Sequence, residues 1–319
     1  MASNGHIPPL ILVDVMNLAF RTHFVFQNLS SNERPSGVLY GFLKTIYDLR
    51  ESVSRRILIV WDHGVPVNGA PKPRNWRDDL LPAYKGTRVS NPIERLKVFS
   101  QLPLLNEVIN LLGYPQIGVM GLEADDVIGI LSSRPRYEGE ETLIFSTDHD
   151  FYQLLDEEHT HILVPKKVGG AFRKIFQSDI EREYGFPISR WPEYLALGGD
   201  KSDNIKPMRG MGPKTAAKLI RQGIDLEQPL SSQPAVIQQK YSEAWEAIQK
   251  SYFAARLPRA WSDSRICTVV KSNAIFLRND GYQHWASEKV RMGNQAAYAH
   301  FCADYELATL LGLKRSFFS

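Results

Sequence analysis

Three short apolar runs, each leading into an aspartate, constrain this chain more than any other feature. Leu10–Val13 runs into Asp14, Ile57–Trp61 into Asp62, and Thr142–Phe145 through Ser146 and Thr147 into Asp148. A continuous apolar run of this length reads as a strand buried on both faces. Between the first two, Tyr40, Leu43, Ile46, Tyr47 and Val53 recur at helical spacing, with Lys44, Asp48 and Arg50 turned to water. Strands interleaved with helices imply an α/β chain with a mostly parallel central sheet flanked by helices. Ligands gather outside the carboxyl ends of such strands, which is where these acids fall.

A fourth acidic element is Leu122–Ile130, in which Glu123, Asp125 and Asp126 precede an apolar run. Acids enrich the first turn of a helix because free N–H groups and the macrodipole favour negative charge there. Alone, the triplet would be an ordinary helix start, just as one Asp after a strand is usually a turn residue or a cap. Four such features, with Asp150 two residues beyond Asp148, are harder to explain separately. Packed together without counter-charge, the carboxyls would raise one another's pKa values and cost stability. Divalent metal is the economical explanation. Glu123 and Asp126, three apart, share a helix face and read as ligands of the metal or its waters, with Asp125 the least direct of the three.

The remaining chain divides in character. His159–Val164 and Ala171–Phe176 flank a glycine-bearing turn and read as a hairpin. Ser178-Asp179-Ile180-Glu181 has capping-box spacing, and Gly185 stops the helix it opens. From there the pattern is helical: Pro192–Leu197, then Lys214–Gln222 opened by Pro213, then a long stretch over Pro234–Leu257. Ile266–Val270 reads as a strand, and Ala296–Leu311 as a last helix packing back on the body. Between the first two helices lies a polar loop holding Asp200 and Asp203, then Gly210-Met211-Gly212-Pro213-Lys214. That is a helix–hairpin–helix-like turn, whose glycines let backbone N–H groups approach a phosphate. Lys201, Lys206, Arg209, Lys214, Lys218 and Arg221 surround it and strengthen the phosphate reading.

Residues 66–100 form a long insertion rich in basic groups (Lys72, Arg74, Arg77, Lys85, Arg88, Arg95, Lys97) with Trp76, Tyr84 and Phe99 interleaved. Asn75–Tyr84 has a helical pattern broken at Pro82, and a further helix starts at Pro92. The bland reading is a solvated loop. Basic and aromatic groups together suit single-stranded nucleic acid, and the segment follows Asp62 directly. The rest of the composition excludes other classes. The two cysteines, Cys267 and Cys302, have no metal-ligand spacing and suggest a reducing compartment. There is no secretory pattern at the start, and no apolar run long enough for a membrane span. A net charge of +3 says little by itself.

Taken in order, the stretches Leu12–Asp14, Trp61–Pro66, Arg77 with Tyr84-Lys85 and Arg88, Glu123–Asp126, Thr147–Leu155, Gly199–Ile205 and Gly210–Ala216 resemble the flap endonuclease family. The likeness is to its bacterial and phage 5′-nuclease branch, which includes the 5′-nuclease domain of DNA polymerase I. It spans residues 10 to about 222. It implies a PIN-like metal-dependent nuclease core over 1–185, with an arch at about 66–100. It further implies a helix–hairpin–helix duplex-binding region over 186–285, and a C-terminal helix within 286–319. By matched position, Asp14, Asp62, Glu123, Asp125 and Asp126 form one carboxylate cluster, and Asp148, Asp150, Asp200 and Asp203 the other. The resemblance makes Lys85, Arg88 and Arg77 catalytic basic residues. It makes Tyr84, Lys201, Lys206, Arg209, Gly210, Gly212, Lys214, Thr215 and Lys218 DNA contacts. The implied cofactor is Mg2+, with Mn2+ substituting, and K+ at the helix–hairpin–helix turn. Val15 and His149 depart from the family pattern, where glycine and lysine are frequent, and neither removes a ligand.

The expected activity is hydrolysis of phosphodiester bonds near the 5′ end of branched or nicked DNA, in replication or repair. The partner is DNA with a 5′ flap, nick or free end, an RNA primer on DNA being compatible. A monomer in the cytoplasm of a bacterial or phage-infected cell is expected, as a stand-alone nuclease, since no polymerase region follows. Two rivals stand beside it. A non-catalytic branched-DNA-binding protein would not need the full acid set. A PIN-type ribonuclease would lack the arch and the second half.

Overall fold

The computed structural model describes residues 7–63, 74–86, 91–134, 139–166, 172–207, 210–272 and 295–304. In chain order the elements are β1 (Leu10–Asp14), α1 (Val15–Val25), β2 (Ser30–Ser31), β3 (Arg34–Pro35), α2 (Gly37–Ser52), β4 (Ile57–Trp61), α3 (Pro92–Phe99), α4 (Leu102–Leu112), β5 (Gln116–Gly118), α5 (Ala124–Ser132), β6 (Thr142–Phe145), β7 (Thr160–Pro165) and β8 (Phe172–Ile175). The helical half follows: α6 (Gln177–Tyr184), α7 (Trp191–Gly198), α8 (Pro213–Arg221), α9 (Ala235–Tyr241), α10 (Trp245–Ala255), α11 (Cys267–Ser272) and α12 (Gln295–Asp304).

The six-stranded sheet has the order β5-β4-β1-β6-β7-β8. All neighbours are parallel except β8, which closes the edge antiparallel to β7. The three strands picked out by their trailing aspartates are therefore adjacent, with β1 in the middle. From β1 the chain moves outward to β4 and β5, then returns to the other side at β6. That reversal opens a crevice at the carboxyl ends of these strands.

Side chains alternate between the two faces of the sheet. Leu12, Leu58, Val60 and Ile144 face a core built with α5 and the helical half. Ile11, Val13, Ile59, Trp61, Leu143 and Phe145 face a second core shared with α1, α2 and α4. Both faces are covered, which is why the strands read as unbroken apolar runs rather than as alternating ones. Tyr298 and Phe301 on α12 are buried in the second core, and residues 305–311 of the helix expected there lie outside the described residues. The expected hairpin is β7–β8, its turn at 167–171 lying outside the described residues.

Three expectations are corrected. Ile266–Val270 is not a strand but leads into the helix α11. Asp263 starts a turn there: its Oδ1 accepts from Arg265 N at 3.0 Å, Ile266 N donates to Asp263 O at 3.1 Å and Val270 N to Ile266 O at 2.9 Å. Ile266, fully buried, anchors that turn in the first core. The Pro234–Leu257 stretch is two helices, interrupted at Ser242–Ala244. Its buried stripe of Ile237, Tyr241, Trp245, Ile248 and Tyr252 nevertheless runs through the interruption. The helix expected within Asn75–Tyr84 is a single tight turn at Trp76–Asp79. The helix expected at Pro92 is present as α3.

Candidate active site

Asp14 ends β1 and caps α1, its Oδ1 accepting from Asn17 N at 3.1 Å. Its Oδ2 accepts from Ser146 Oγ, also at 3.1 Å, which ties the end of β1 to that of β6. Ser146 Oγ in turn accepts from Asp148 N at 3.1 Å, and Asn17 Oδ1 accepts from Thr147 N. Asp62, after β4, accepts from Ala124 N at 2.7 Å and so holds the start of α5 against the sheet. The carboxyl of Asp14 is pushed up to about 7 from an ordinary 3.8, first by burial and then by Asp62, with the Asn17 bond opposing. Asp62 is raised by loss of water around it and by Glu123.

The 199–205 loop brings a second set of acids. Gly199 turns with φ +80°, and a side chain there would lie 2.6 Å from Pro207, so glycine is required. Asp200 and Ile205 then pair backbone to backbone at 2.9 and 2.8 Å, with Ile205 buried beneath them. Within this tight loop Ser202 N and Oγ donate to Asp200 Oδ1, both at 2.7 Å. Asp150, Asp200 and Asp203 each offer an oxygen, and the three lie within 4.8 Å of one another. Burial, Asp148 and Asp203 drive the Asp150 pKa well up. An all-carboxylate set partly open to water, with a lysine 3.7 Å from Asp203, fits a hard divalent cation that keeps several waters.

The first cluster is not balanced in the same way, because protein cations already sit in it. Lys85 Nζ donates to Glu123 Oε1 at 2.6 Å and stands 3.7 Å from Asp203. Tyr84 Oη donates toward Glu123 at 2.9 Å and Asp203 at 2.8 Å. The 83–86 turn is fastened further by Lys85 N to Asp203 O at 3.1 Å and Asn204 Nδ2 to Ala83 O at 2.7 Å. Burial would raise Glu123, but Lys85, Arg77 and Tyr84 outweigh it and hold its pKa well below the usual range.

The structure places three of the expected site residues in the interior. Asp126, expected to be a metal ligand, is fully buried and turned away from the cleft. Its Oδ2 accepts from Trp76 Nε1, Arg77 and Glu123 N, each at 3.0 Å, and its Oδ1 faces Arg77 at 2.8 Å. Arg77, expected to be catalytic, is 1% exposed and bound to Asp126, Glu123 and the Ala254 carbonyl. Tyr84, expected to contact DNA, is buried with its hydroxyl committed to two carboxylates. Asp125 moves the other way: it is only partly buried and touches Arg77 at no closer than 3.8 Å. Burial raises its pKa, Arg77 opposing and Asp126 adding.

Lys201, Lys206, Lys214 and Lys218 are exposed along the loop and α8, whose opposite face buries Ala216, Ala217 and Ile220. Gly210 has φ +73° and Gly212 caps α8, while Thr215 N returns to Gly212 O at 3.0 Å. Arg88 and Arg209 lie outside the described residues, as do 64–73 and 87–90 of the arch. The residues that sequence reasoning passed over are Asn17 and Ser146, while Trp76, read there as an aromatic suited to nucleic acid, is instead a donor to Asp126. Only Asn17 left a signal, three residues after a strand-ending Asp as an N-cap requires.

Two family models match the chain: the N-terminal resolvase-like domain of 5′-3′ exonuclease over residues 9–185, and its C-terminal SAM fold over 186–262. The 5′-3′ exonuclease of Buchnera aphidicola subsp. Schizaphis graminum is 33% identical over 223 residues, 67% of this chain and 70% of that protein. DNA polymerase I of Deinococcus radiodurans is 33% identical over 219 residues, covering 68% of this chain but 21% of the polymerase. The thermostable DNA polymerase I of Thermus filiformis is 31% identical over 256 residues, 78% of this chain and 29% of that protein. The chain thus spans less than a third of the polymerases it matches. The T5 5′-exonuclease structure with bound zinc superposes with a TM-score of 0.60 at 20% identity, over 94% of this chain and 98% of that one. Flap endonuclease-1 from Methanococcus jannaschii gives 0.59 at 11% identity, over 98% and 92%. These two share the fold.

Proposed function

The chain belongs to the 5′-3′ exonuclease family, and from that premise we propose that it is a structure-specific 5′ nuclease acting on DNA in replication or repair. The observation that carries the reading is the convergence of Asp14, Asp62 and Asp148, with Asp150 two residues beyond it, at three adjacent strand ends, and of Asp200 and Asp203 from the separate 199–205 loop. Asp150, Asp200 and Asp203 would hold one divalent ion. Asp14, Asp62, Glu123, Asp125 and Asp148 would hold a second. Asp126 is left out of the set and acts as the anchor of Arg77. Mg2+ suits these hard oxygen donors, and Mn2+ would substitute. When bound, the ions supply positive charge to the phosphoryl oxygens and lower the pKa of water.

The protein's own groups do the rest. Lys85, freed from Glu123, stabilises negative charge developing at the scissile phosphate. Asp14, whose carboxyl is raised to about 7 by burial and by Asp62, would hold the ion in its ionised form. The buried Trp76-Arg77-Asp126 set holds the start of α5, and with it Glu123 and Asp125, in place.

Lys201, Lys206, Lys214 and Lys218, with Arg209, neutralise duplex phosphates around Gly210, Gly212 and Thr215, where K+ would be held by carbonyls. The division of labour is a nuclease core over 1–185 and duplex binding over 186–285. The substrate is DNA with a 5′ flap, a nick or a free 5′ end, and an RNA primer on DNA is compatible. A monomer in the cytoplasm of a bacterial or phage-infected cell completes the proposal. Among the described residues no helix is long and apolar enough to cross a membrane.

End-labelled 5′-flap, nicked and blunt duplexes, incubated with and without Mg2+, test it. Cleavage near the 5′ end is expected only with the metal, and is expected to be lost in Asp148→Asn and Asp125→Asn proteins that still fold and bind DNA. Undiminished cleavage by both variants would sink the site assignment. Tight, metal-independent binding of branched DNA without cleavage would favour the non-catalytic rival.

A further inference from the structure

Helix α10 ends at Ala255, and the last carbonyls of a helix have no partner within it. Two arginines supply partners from outside. Arg77 Nε donates to Ala254 O at 2.9 Å, and Arg265 Nη1 donates to Phe253 O at 2.8 Å and to Arg256 O at 2.6 Å. The negative end of the helix dipole favours both charges there. Asp263 completes the grip on Arg265, its Oδ1 accepting from Nε at 3.0 Å and its Oδ2 from Nη2 at 2.6 Å. The two guanidinium groups share one more neighbour. Each lies over the Trp76 ring, 4.5 Å from the centroid for Arg77 and 5.3 Å for Arg265.

Trp76 is 6% exposed, and its Nε1 donates to Asp126 Oδ2 at 3.0 Å, the oxygen that also accepts from Glu123 N. A chain of contacts therefore runs from the end of α10 through Arg265 and Trp76 to Asp126, and on to the residue that opens α5. The same segment meets the approach to α5 a second time. Gly121 turns with φ +87°, and a side chain there would lie 3.0 Å from Val269 and 3.4 Å from Arg74 O.

The simpler role for Arg265 is that of a helix cap, which its bonds to two carbonyls and Asp263 would satisfy. A cap has no need of an indole. A cation held over an indole face restrains the plane of the ring, and this ring has its only donor aimed at Asp126. The Arg265 side chain is 16% exposed, and all three of its nitrogens are already bonded.

We infer that Arg265 is a positioning residue for the nuclease centre. It holds the Trp76 ring so that the indole N–H keeps Asp126, and with it Glu123 and Asp125, set for the ion they hold. The inference rests on the nuclease reading and extends it to the segment after α10. Groups that orient the ligands of a metal contribute about 10- to 100-fold to its affinity.

Mn2+ titrations of the full chain, followed by calorimetry, test it. The binding event that belongs to Glu123 and Asp125 is the one lost in Asp125→Asn. Its affinity should fall about tenfold in Arg265→Met, and about as far in Trp76→Phe, which keeps a ring for the guanidinium and removes the N–H. The double variant should match either single one within about twofold. The event at Asp150, Asp200 and Asp203 should move by less than about twofold in all three proteins. With 5′-flap DNA, kcat should fall while KM stays within about twofold. A folded Arg265→Met protein that keeps its Mn2+ affinity and kcat while Tm falls would reduce Arg265 to a cap and overturn the inference. Equal losses at both metal events would also overturn it, as would losses that multiply to about a hundredfold in the double variant. Where Arg265→Met fails to fold, Asp263→Asn loosens the same guanidinium, and a change below about twofold in its Mn2+ affinity would overturn the inference. Absence of metal-dependent cleavage by the unaltered protein would instead remove the nuclease reading, and the Mn2+ titrations would then decide the role of Arg265 alone.

Discussion

Replacing Arg77 by methionine tests whether the buried set beneath α5 is structural. The guanidinium is 1% exposed, donates to Asp126 Oδ2 at 3.0 Å and Glu123 Oε2 at 3.3 Å, and reaches Asp126 Oδ1 at 2.8 Å. Burial works against its charge, but Asp126, Asp125 and Glu123 outweigh that and raise its pKa. Methionine keeps much of the volume and removes the charge, which leaves Asp126 an uncompensated buried anion. Breaking a buried pair in this way costs about 3–5 kcal/mol. Trp76 Nε1 and Glu123 N still donate to Asp126, so the lower end, about 3 kcal/mol, is expected. At roughly 2–4 °C per kcal/mol for a protein of this size, Tm should fall by about 6–12 °C. Urea unfolding should show the same loss with an unchanged m-value. Arg77→Met combined with Asp126→Asn should recover about 1–2 kcal/mol, because asparagine still accepts from Trp76 but carries no charge. A loss below about 1 kcal/mol for Arg77→Met alone, or no recovery in the double variant, would refute the structural role.

Three further outcomes follow from the same distances. Asp14 binds its proton more tightly folded, at about 7, than unfolded, at 3.8; this stability is present below 3.8 and lost as pH rises through about 7. Asp14→Asn should therefore stabilise the metal-free protein at pH 8, by about a few kcal/mol at most and read as a higher Tm, while abolishing cleavage; no rise in Tm in EDTA would contradict it. Glu140 pairs with Arg56 at 2.7 Å and Arg134 at 2.8 Å; burial opposes its charge, but these bonds lower its pKa from 4.5 to about 2. Its contribution is present above pH 4.5 and lost as pH falls towards 2, so Glu140→Gln should cost about 2–3 kcal/mol at pH 7 and little at pH 2.5 in urea titrations. Lys85→Ala should lower kcat for flap cleavage by about 100-fold or more and shift duplex affinity by less than about twofold. Equal losses in both would make Lys85 a positioning contact only.

Much of the fold was legible because burial on both faces leaves a plain trace. Leu10–Asp14, Ile57–Trp61 and Thr142–Phe145 are continuous apolar runs, and nothing but a two-sided sheet or a buried helix uses such short ones. Ile266–Val270 failed for the same reason. A short β-branched run looks identical whether it enters a sheet or starts a helix, and what decided it was local, the Asp263 turn and the anchoring of Ile266. The break at Ser242–Ala244 left no trace either, since the apolar stripe of α9 and α10 continues across it.

The site was legible at the level of residue type and misleading at the level of direction. Glu123 and Asp126 were expected to share a helix face, but Glu123 is the extended residue that caps α5 and Asp126 lies inside the helix. Asp126, at the third helical position, returns to the Glu123 N–H, which places its carboxylate against the chain that precedes α5. There Trp76 and Arg77 wait, brought in by a segment whose basic and aromatic content had suggested nucleic acid. Asp125, one residue earlier, is rotated about 100° around the helix and faces the cleft side. A basic residue next to an acid cluster therefore has two uses that composition cannot separate. It can stabilise a substrate anion, or it can make a buried carboxylate affordable to the fold. Depth below the surface distinguishes them: Arg77 at 1% exposure serves the acids, while Lys85, at 21% and on the rim, can serve either. The arrangement also gives the acid set a gradient of charge compensation, from Asp126 fully paired, through Glu123 shared with Lys85, to Asp150 and Asp200 with no protein cation bonded to them among the described residues. Divalent ions should enter at the uncompensated end first and reach Glu123 only as Lys85 leaves it.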